Sequence, residues 1–480
     1  MEMSDERHTL DRRSFMKESA VASAGFAAAL EAFQAEQAMA AEAAPKKIGR
    51  PVNVAVIGSG NMGCGDMSQL LKTPGVFLRA VCDIWPPNLE AALQIARDEF
   101  DGPAIFKNIY EGYRTGKDKD DALKAAKAAK GYSDYREMLD KEKDVEAVLI
   151  ALPLNAHFDI TSACIQAGKH IYAEKMMAQT VEQCKQLGKL AKDSDKVIQF
   201  GHQQHWNDWY KLGDKLIHND KVCGKMTHIK AWWNRNKPWR RPVTDDEKKL
   251  IDASKYGYKD VNELRNWRLF WATSGGLMAE LACHQIDVAN WYSGSVPEAV
   301  VGMGGLDFRK EDWGGDVFDN VQCIFQYPGG LKVTYQSITT NSYDGQGEQF
   351  MGPEGTVIIS RKGGFVFREP KAPKLPWETK AKGAKDAKGR KGIAMKPGST
   401  VTEGGAGQQK GKALGDGKKK KDPYLDYRRA MGAWITCVRE NKPTKAGWEI
   451  ALKAAVPCIM ANQAMAKGEL VKIPPDAYQV

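Results

Sequence analysis

The sequence predicts an α/β protein of two domains, in which a parallel sheet flanked by helices precedes a second α/β domain. Three observations predict this fold. Short β-branched runs alternate with helical segments between residues 50 and 176, strand-like runs separated by glycine turns fill residues 317–360, and residues 424–468 have helical patterns. A chain of 480 residues is long enough for two or three domains, each with its own core.

Residues 1–44 are predicted to be a twin-arginine export signal with its linker. The pair Arg12 and Arg13 is followed by Phe15 and Lys17, then by an apolar run and small-residue cleavage sites. The segment is excluded from the fold, and it predicts a periplasmic or otherwise exported protein whose partner is the twin-arginine export machinery. Because this route carries folded proteins, a cofactor would be bound before export.

The first folded element is predicted to be a strand, a glycine turn and a helix. A β-branched strand at residues 52–57 passes directly into the sequence GSGNMG at residues 58–63. The first glycine permits a tight turn, the second lets a pyrophosphate approach the backbone, and the third lets helix and strand pack closely. The candidate cofactor-binding residues here are Gly58, Gly60, Asn61, Met62 and Gly63.

The second strand, residues 77–82, ends at Asp83, twenty residues after Gly63. A carboxylate at that place accepts hydrogen bonds from the adenosine ribose and repels a 2′-phosphate. Asp83 is therefore a further candidate cofactor-binding residue. It favours NAD over NADP, which stays the alternative.

Two further strands bring polar residues to the same edge of the sheet. Residues 145–152 form a buried strand that ends in the stretch PLNAH at 153–157, and the next strand ends at Glu174 and Lys175. Ligands of open parallel sheets bind at this edge. Lys175 is thereby placed beside a nicotinamide, where a cation can stabilise a substrate alkoxide.

These motifs resemble the glucose-fructose oxidoreductase / inositol dehydrogenase / MocA (Gfo/Idh/MocA) family of NAD(P)-dependent sugar oxidoreductases. The matching stretches are GSGNMG with Asp83, the P-x-N-x-H stretch at 153–157, AGKHIYAEK at 167–175 and GGLMAELACHQID at 275–287. The resemblance covers most of residues 50–360. It implies hydride transfer between a nicotinamide and a carbohydrate or cyclitol carbon.

The resemblance also implies the fold of each domain. Residues 50–176 would form a Rossmann dinucleotide-binding domain, and residues 177–370 a substrate domain. The substrate domain would have an open mixed, largely antiparallel sheet, through which the protein would form a homo-oligomer. Residues 422–480 would be C-terminal helices that complete the fold.

The resemblance assigns the catalytic residues Lys175, Glu280 and His284. Glu280 and His284 are four residues apart, a spacing that puts two side chains on one face of an α-helix. The carboxylate would orient the imidazole while the imidazole removes a hydroxyl proton. Two residues depart from the family pattern, since Met176 replaces a proline and Glu280 an aspartate. The cofactor-binding residues implied are Pro153, Asn155, His157, Glu174 and Lys175.

Polar and aromatic residues of the second domain are predicted to contact the substrate. His202 and His205 lack a third ligand at a recognisable spacing, so they do not make a metal site. The nine cysteines contain no C-x-x-C pair. No metal is therefore predicted. Adjacent Trp232 and Trp233 must point to opposite sides of a strand. The predicted substrate-binding residues are His202, Gln203, His205, Trp232, Asn234, Arg235 and His284.

The basic charge of the chain lies in one segment. Residues 371–421 carry 14 lysines and one arginine against four carboxylates, a net charge of +11, whereas the whole chain carries +10. Their Lys/Gly-rich composition predicts a flexible insertion. A second hypothesis is a tether to an anionic envelope surface. Without aromatic residues interleaved among the lysines, no nucleic-acid partner is predicted.

The sequence therefore predicts an NAD-dependent oxidoreductase that acts on CH–OH groups of carbohydrates or cyclitols. Because free NAD is scarce outside the cytoplasm, the cofactor is expected to be tightly bound. One alternative is a redox-assisted glycosidase, in which oxidation, elimination and re-reduction leave the cofactor unchanged. The other alternative is a non-catalytic sugar-binding protein of the same fold.

Overall fold

A computed structural model of the chain describes residues 49–101, 118–378, 383–385, 391–394 and 424–480. These residues form a parallel sheet followed by a mixed, mostly antiparallel sheet, each packed against helices. The predicted α/β fold is confirmed. Among the described residues, no helix is both long and apolar enough to cross a membrane.

The first sheet is built from alternating strands and helices. Its elements are β1 (Val52–Ile57), α1 (Asn61–Leu70), β2 (Val76–Cys82), α2 (Pro86–Arg97), α3 (Lys119–Ala128), β3 (Lys130–Tyr132), α4 (Tyr135–Lys141), β4 (Ala147–Ile150), α5 (Leu154–Gln166), β5 (His170–Ala173), α6 (Val181–Asp193) and β6 (Ile198–Phe200). The strands are parallel, in the order β3-β2-β1-β4-β5-β6. The order reverses between β1 and β4, which opens a crevice at their carboxyl ends.

β1 shows why this sheet forms from apolar runs. Its side chains alternate between two cores, with Val54 and Val56 in one and Ala55 and Ile57 in the other. A strand covered by helices on both faces has no solvent side. Its sequence is therefore a nearly continuous β-branched run.

The predicted end of the first domain at residue 176 is wrong. α6 begins with a capping box, in which Thr180 and Gln183 bond each other's backbone N–H groups, and it leads into β6. β6 pairs in parallel with β5, so the segment that was expected to open the second domain completes the first sheet.

The second sheet contains the remaining strands. Its elements and the helices around it are α7 (Asp208–His218), β7 (His228–Asn234), α8 (Asp245–Lys248), α9 (Val261–Arg265), α10 (Cys283–Ser293), β8 (Ala299–Gly305), α11 (Lys310–Trp313), β9 (Asn320–Gln326), β10 (Lys332–Ile338), β11 (Gln346–Gly352), β12 (Gly355–Ser360), β13 (Gly363–Arg368), β14 (Gly383–Lys385), β15 (Lys391–Ala394), α12 (Leu425–Glu440), α13 (Trp448–Lys467) and β16 (Val471–Lys472). A π-helical turn, Met278–Ala282, runs directly into α10.

The strands of this sheet lie in the order β14-β15-β13-β12-β11-β7-β10-β9-β8-β16. Only β7 and β10 pair in parallel within the described sheet, which confirms the mixed, largely antiparallel prediction. Helices α7, α10 and α13 cover one face. On the other face, side chains such as Ile324 and Met303 are exposed.

The C-terminal helices join the two sheets. α12 packs on α1, and its Trp434 meets the ring of Tyr172 on β5 edge-on, with the centroids 5.7 Å apart. α13 contacts α6 of the first sheet and β8 of the second. One apolar core consequently runs from Ile57 in the first sheet to Val333 in the second.

The prediction of a flexible insertion at residues 371–421 is wrong where the structure describes this segment. Leu375 and Trp377 pack against the main core, and β15 pairs with β13 while β14 pairs with β15. An edge strand offers unpaired backbone groups to any following segment, so a polar composition does not prevent pairing. Residues 379–382, 386–390 and 395–421 lie outside the described residues, as does the predicted signal at 1–44.

Candidate active site

The glycine loop has the backbone geometry that a dinucleotide needs. Gly58 has a φ of +85°, and a Cβ at Gly63 would collide with the carbonyl oxygen of Gly58. A Cβ at Gly60 would meet only Asn88 Nδ2, at 3.8 Å. Close packing thus explains the first and third glycines, whereas the second borders open space. Helix α1 begins after Gly60 without a side-chain cap, so its first amides are available to a pyrophosphate.

Asp83 follows β2 and braces this loop. Its Oδ2 accepts hydrogen bonds from the backbone N of Ser59 at 2.7 Å and from Ser59 Oγ at 3.1 Å, and its Oδ1 accepts one from the backbone N of Trp85 at 2.8 Å. Burial raises the pKa of the carboxyl, although these donors favour its charged form. Asp83 therefore lies at the predicted place and fixes the loop as well.

A cavity of about 1000 Å³ extends from the glycine loop to the second sheet. The lining includes nearly every residue that was predicted to bind the cofactor. These are Gly58, Gly60, Asn61, Met62, Gly63, Asp83, Pro153, Asn155, Glu174 and Lys175.

His157 is the exception among the predicted cofactor-binding residues. Its Nδ1 lies 2.8 Å from the carbonyl oxygen of Met176, its Nε2 lies 2.9 Å from that of Leu152, and its side chain is buried. It ties the ends of two neighbouring strands together. The assignment of His157 to the cofactor is therefore wrong.

Lys175 stands at the carboxyl end of β5, where the cavity meets the second domain. Its Nζ donates to the backbone oxygen of Glu280 at 2.9 Å, and the peptide bond to Met176 is cis. Burial disfavours the ammonium form, but the nearby charge of Glu280 outweighs burial and raises the pKa of Lys175. The side chain thus remains a cation.

Glu280 does not orient His284, contrary to the prediction. Its carboxylate accepts a hydrogen bond from Arg268 Nε at 2.7 Å. Burial opposes the charged carboxylate, but Lys175 and Arg268 outweigh it and lower the pKa of Glu280. Glu280 lies in the π-helical turn, whose wider backbone changes the angle between side chains four residues apart.

His284 lines the cavity as a neutral base. Its ring lies 5.9 Å from that of Trp233, and its buried Nδ1 makes no hydrogen bond with the described chain. Burial, followed by the charge of Lys175, holds the pKa of His284 well below its usual range. The ring can therefore accept a proton at neutral pH.

Three predicted substrate-binding residues lie behind the cavity wall. Gln203 Nε2 donates to Glu174 Oε1 at 2.8 Å. His202 Nδ1 and His205 Nε2 lie 3.4 Å and 3.1 Å from Asp287 Oδ2, and all these side chains are buried. The substrate assignment of Gln203, His202 and His205 is wrong. They support Glu174 and hold the buried Asp287, whose pKa the two histidines keep low despite its burial.

The faces of β7 decide which of its residues reach the cavity. Trp233 and Arg235 line it, whereas Trp232 and Asn234 bond the backbone oxygens of Asp344 and Tyr343 on the other side of the sheet. The predicted roles of Trp232 and Asn234 are therefore wrong. The alternation was recognised, but the sequence did not show which tryptophan faces inward.

Two features of the site were missed. Asp66, on α1, is buried and shares a hydrogen bond with Glu174, and burial raises the pKa of both carboxyls. A second-domain segment, residues 236–268, packs Tyr258 and Leu264 against Trp85 next to Asp83. Nothing in the spacing of Asp66 marked it, although an acid amid the buried residues of a helix is itself unusual.

The residues present fit a dinucleotide at one end of the cavity and a small polar substrate at the other. Among the described residues, no group of three histidine, cysteine or carboxylate side chains could hold a metal ion. The nine cysteines are free thiols, eight of them buried.

Two family models match the chain on either side of this cavity. One is described as an oxidoreductase family with an NAD-binding Rossmann fold and matches residues 52–202. The other, the GFO/IDH/MocA C-terminal domain, matches residues 215–358. The chain belongs to the GFO/IDH/MocA family. The resemblance is thus confirmed, and the first match ends where β6 completes the sheet.

The relatives of this chain include a glycosyl hydrolase and a dehydrogenase. A glycosyl hydrolase family 109 protein of Shewanella baltica (strain OS195) is 25% identical over 276 residues, which are 55% of this chain and 51% of that protein. A levoglucosan dehydrogenase of Pseudarthrobacter phenanthrenivorans is 25% identical over 265 residues, which are 49% of this chain and 62% of that protein. The match to the first of these relatives spans about half of its length.

Solved structures share the fold. Levoglucosan dehydrogenase in complex with NADH and levoglucosan has a TM-score of 0.60 at 18% identity, covering 88% of this chain and all of that one. For myo-inositol 2-dehydrogenase of Lactobacillus plantarum the TM-score is 0.57 at 17% identity, with 88% of this chain covered and all of that one.

Proposed function

We propose that the protein is an NAD-dependent oxidoreductase that acts on a hydroxyl-bearing carbon of a carbohydrate or cyclitol. The observation that carries this proposal is that Lys175 and His284 line the same cavity as the glycine loop. The dehydrogenases among its relatives and structural neighbours support it.

NAD bound at the glycine loop would supply the hydride acceptor. Side chains of this protein would remove the proton of the substrate hydroxyl. The ammonium of Lys175 would hydrogen-bond the substrate hydroxyl and stabilise negative charge as it forms on that oxygen. Neutral His284 would take the proton on a ring nitrogen. The backbone oxygen of Glu280 would keep Nζ of Lys175 in place.

Replacing Lys175 by methionine tests the proposal. Without the cation, we expect kcat/KM to fall roughly 10²–10⁴-fold, because charge developing on the substrate oxygen loses its stabilisation. NADH affinity should change little, since the glycine loop is untouched. Lys189→Met, at an exposed position on α6, is the matched control. Full kcat/KM of Lys175→Met would contradict the role proposed for Lys175. Sugar binding without any NADH formation by the unaltered protein would instead favour a non-catalytic sugar-binding protein.

A redox-assisted glycosidase is the second candidate function. The family 109 glycosyl hydrolases among the relatives favour it, and it would use the same Lys175 and His284. The two candidates differ in their net reaction. Release of a sugar from a glycoside with no net change in nicotinamide absorbance would identify the glycosidase, whereas accumulation of NADH would identify the oxidoreductase.

We further propose that the cofactor is tightly bound, with NAD preferred to NADP. Residues 236–268 of the second domain cover the groove beside Asp83 through Tyr258 and Leu264, and Arg265 lies 4.9 Å from the ring of Trp85. The protein is therefore expected to purify with stoichiometric nicotinamide. Purification without cofactor, together with weak affinity for added NAD, would contradict this.

Export and assembly are proposals that rest on the sequence and on the open sheet face. The twin arginines support export to the periplasm. Replacing both arginines by lysine should abolish export, as measured by the amount of protein in the periplasmic fraction of the cells.

On the open face of the second sheet, Met303 and Ile324 are 81% and 48% exposed, which suits an interface between copies. Light scattering of the protein and of Ile324→Glu tests for a homo-oligomer.

A further inference from the structure

Positive charge accumulates at the catalytic end of the cavity. Arg235, Arg241 and Arg268 line it together with Lys175. Glu280 is the carboxylate that pairs with Arg268, whereas burial raises the pKa of both Asp66 and Glu174 and so disfavours their charged forms. Arg235 and Arg241 are left without an acidic partner, since no carboxylate of the described residues lies within 4.0 Å of either guanidinium.

Arg235 is held in position without being neutralised. It follows Trp233 by two residues on the strand face that meets His284, and its Cζ lies 4.6 Å from the ring centroid of Trp239. Its Nε is buried and makes no hydrogen bond with the described chain. A buried guanidinium donor without a partner in the protein can bind an anionic ligand, and the fixed position of Arg235 favours such binding.

Arg241 belongs to the same cluster. Asn266 accepts a hydrogen bond from the backbone N of Arg241 at 2.6 Å and donates one to its carbonyl oxygen at 3.0 Å, which fixes the backbone. Burial and the charges of Arg268 and Arg265 lower the pKa of Arg241 to about 10. The cations here repel one another, and an anionic ligand would relieve that repulsion.

We propose that the substrate carries an anionic group, a carboxylate or a sulfate ester, which Arg235 and Arg241 bind while Lys175 and His284 act on a hydroxyl of the same molecule. This inference rests on the proposed oxidoreductase function and narrows its substrate to acidic carbohydrates. A planar guanidinium recognises both groups through paired hydrogen bonds. The cofactor pyrophosphate does not need these arginines, because the amides at the start of α1 are available to it.

Binding and turnover of matched sugars test the inference on the full chain loaded with NADH or NAD. Galacturonate and galactose 6-sulfate are compared with galactose by calorimetry and by NADH formation. We expect an acidic sugar to bind about tenfold or more tightly than galactose, and added salt to weaken only the acidic ligands. Comparison of the two acids tells a carboxylate site from a sulfate site.

Arg235→Met and Arg241→Met identify the residues, with Arg240→Met, at an exposed neighbouring position, as the control. Each cavity variant should weaken acidic sugars about tenfold and galactose less than twofold, which a purely structural role would not do. The inference would be overturned if a variant lost affinity equally for acidic sugars and for galactose. It would also be overturned if the variant changed only the affinity for NADP. Turnover of neutral sugars without any preference for acids would overturn it and leave the oxidoreductase function intact. Arg235-dependent acid binding without NADH formation would support the site and count against the oxidoreductase.

Discussion

Glu348 is an acid in the core of the second domain. It lies on β11 without solvent exposure, and its Oε2 accepts a hydrogen bond from Tyr210 Oη at 2.8 Å. Burial raises the pKa of this carboxyl to about 8, although the hydrogen bond favours its charged form. The folded protein therefore keeps a proton that the unfolded chain loses at a much lower pH.

Glu348→Gln tests this linkage. Between the ordinary pKa of 4.5 and about 8, unfolding releases the proton, so stability falls as the pH rises through this window. The slope is at most about 1.4 kcal/mol per pH unit. Because glutamine cannot ionise, we expect the Tm of the Glu348→Gln variant to fall less than that of the wild type between pH 5 and 8. Glu311→Gln, at an exposed position, is the control, and identical pH profiles for all three proteins would refute the assignment.

Residues whose position depends on the local chain lie where they were predicted, and residues whose position depends on the facing direction do not. Asp83 and Lys175 end parallel strands, and the edge of the sheet alone places them in the cavity. Trp232 and Trp233 occupy equivalent positions in the sequence pattern. Only the pairing of β7 with β10 and β11, distant in sequence, decides that Trp233 faces His284.

At the element scale, the glycine loop depends on the absence of one methyl group. Alanine at position 63 would place its Cβ against the carbonyl oxygen of Gly58, so β1 and α1 would have to separate. We expect Gly63→Ala to lower the free energy of unfolding by roughly 1–3 kcal/mol. NADH affinity, measured by fluorescence, should fall with it because the first amides of α1 move.

The matched control is Gly432→Ala in α12, where the new Cβ would come no closer than 4.0 Å to Thr73 Oγ1. Alanine favours a helix over glycine, so this variant should gain about 0.5–1 kcal/mol and leave NADH affinity unchanged. Equal effects of the two substitutions would show that the crowding at Gly58 does not matter.

Elements with a strong local pattern were predicted, and elements defined by their partners were misassigned. β1 and the glycine turn follow from five apolar residues and three glycines. β6 has only three residues, and its assignment to the first sheet depends on pairing with β5. The π-helical turn at Met278–Ala282 adds a residue to one turn without a sequence signal, and the predicted contact of Glu280 with His284 failed for that reason.

At the scale of the whole molecule, chain order and spatial order differ. α12 comes late in the chain and covers the first sheet, with Trp434 against Tyr172. The sequence shows two helices near the C-terminus, but their docking surfaces lie hundreds of residues away. α13 contacts elements of both sheets, and one apolar core is continuous between them.

The basic segment is predicted to be dispensable for catalysis. It leaves the described sheet at Ala394 on β15, and three strands, β13, β12 and β11, separate β15 from the cavity-lining β7. Residues 395–421 contain seven lysines against two carboxylates. Replacing them by a Gly/Ser linker of equal length should leave Tm and kcat/KM unchanged. Binding to anionic vesicles should decrease, and more so at low salt, because a cationic segment attracts such surfaces within a Debye length of about 10 Å at 0.1 M salt. Loss of turnover with Tm unchanged would instead place part of this segment at the site.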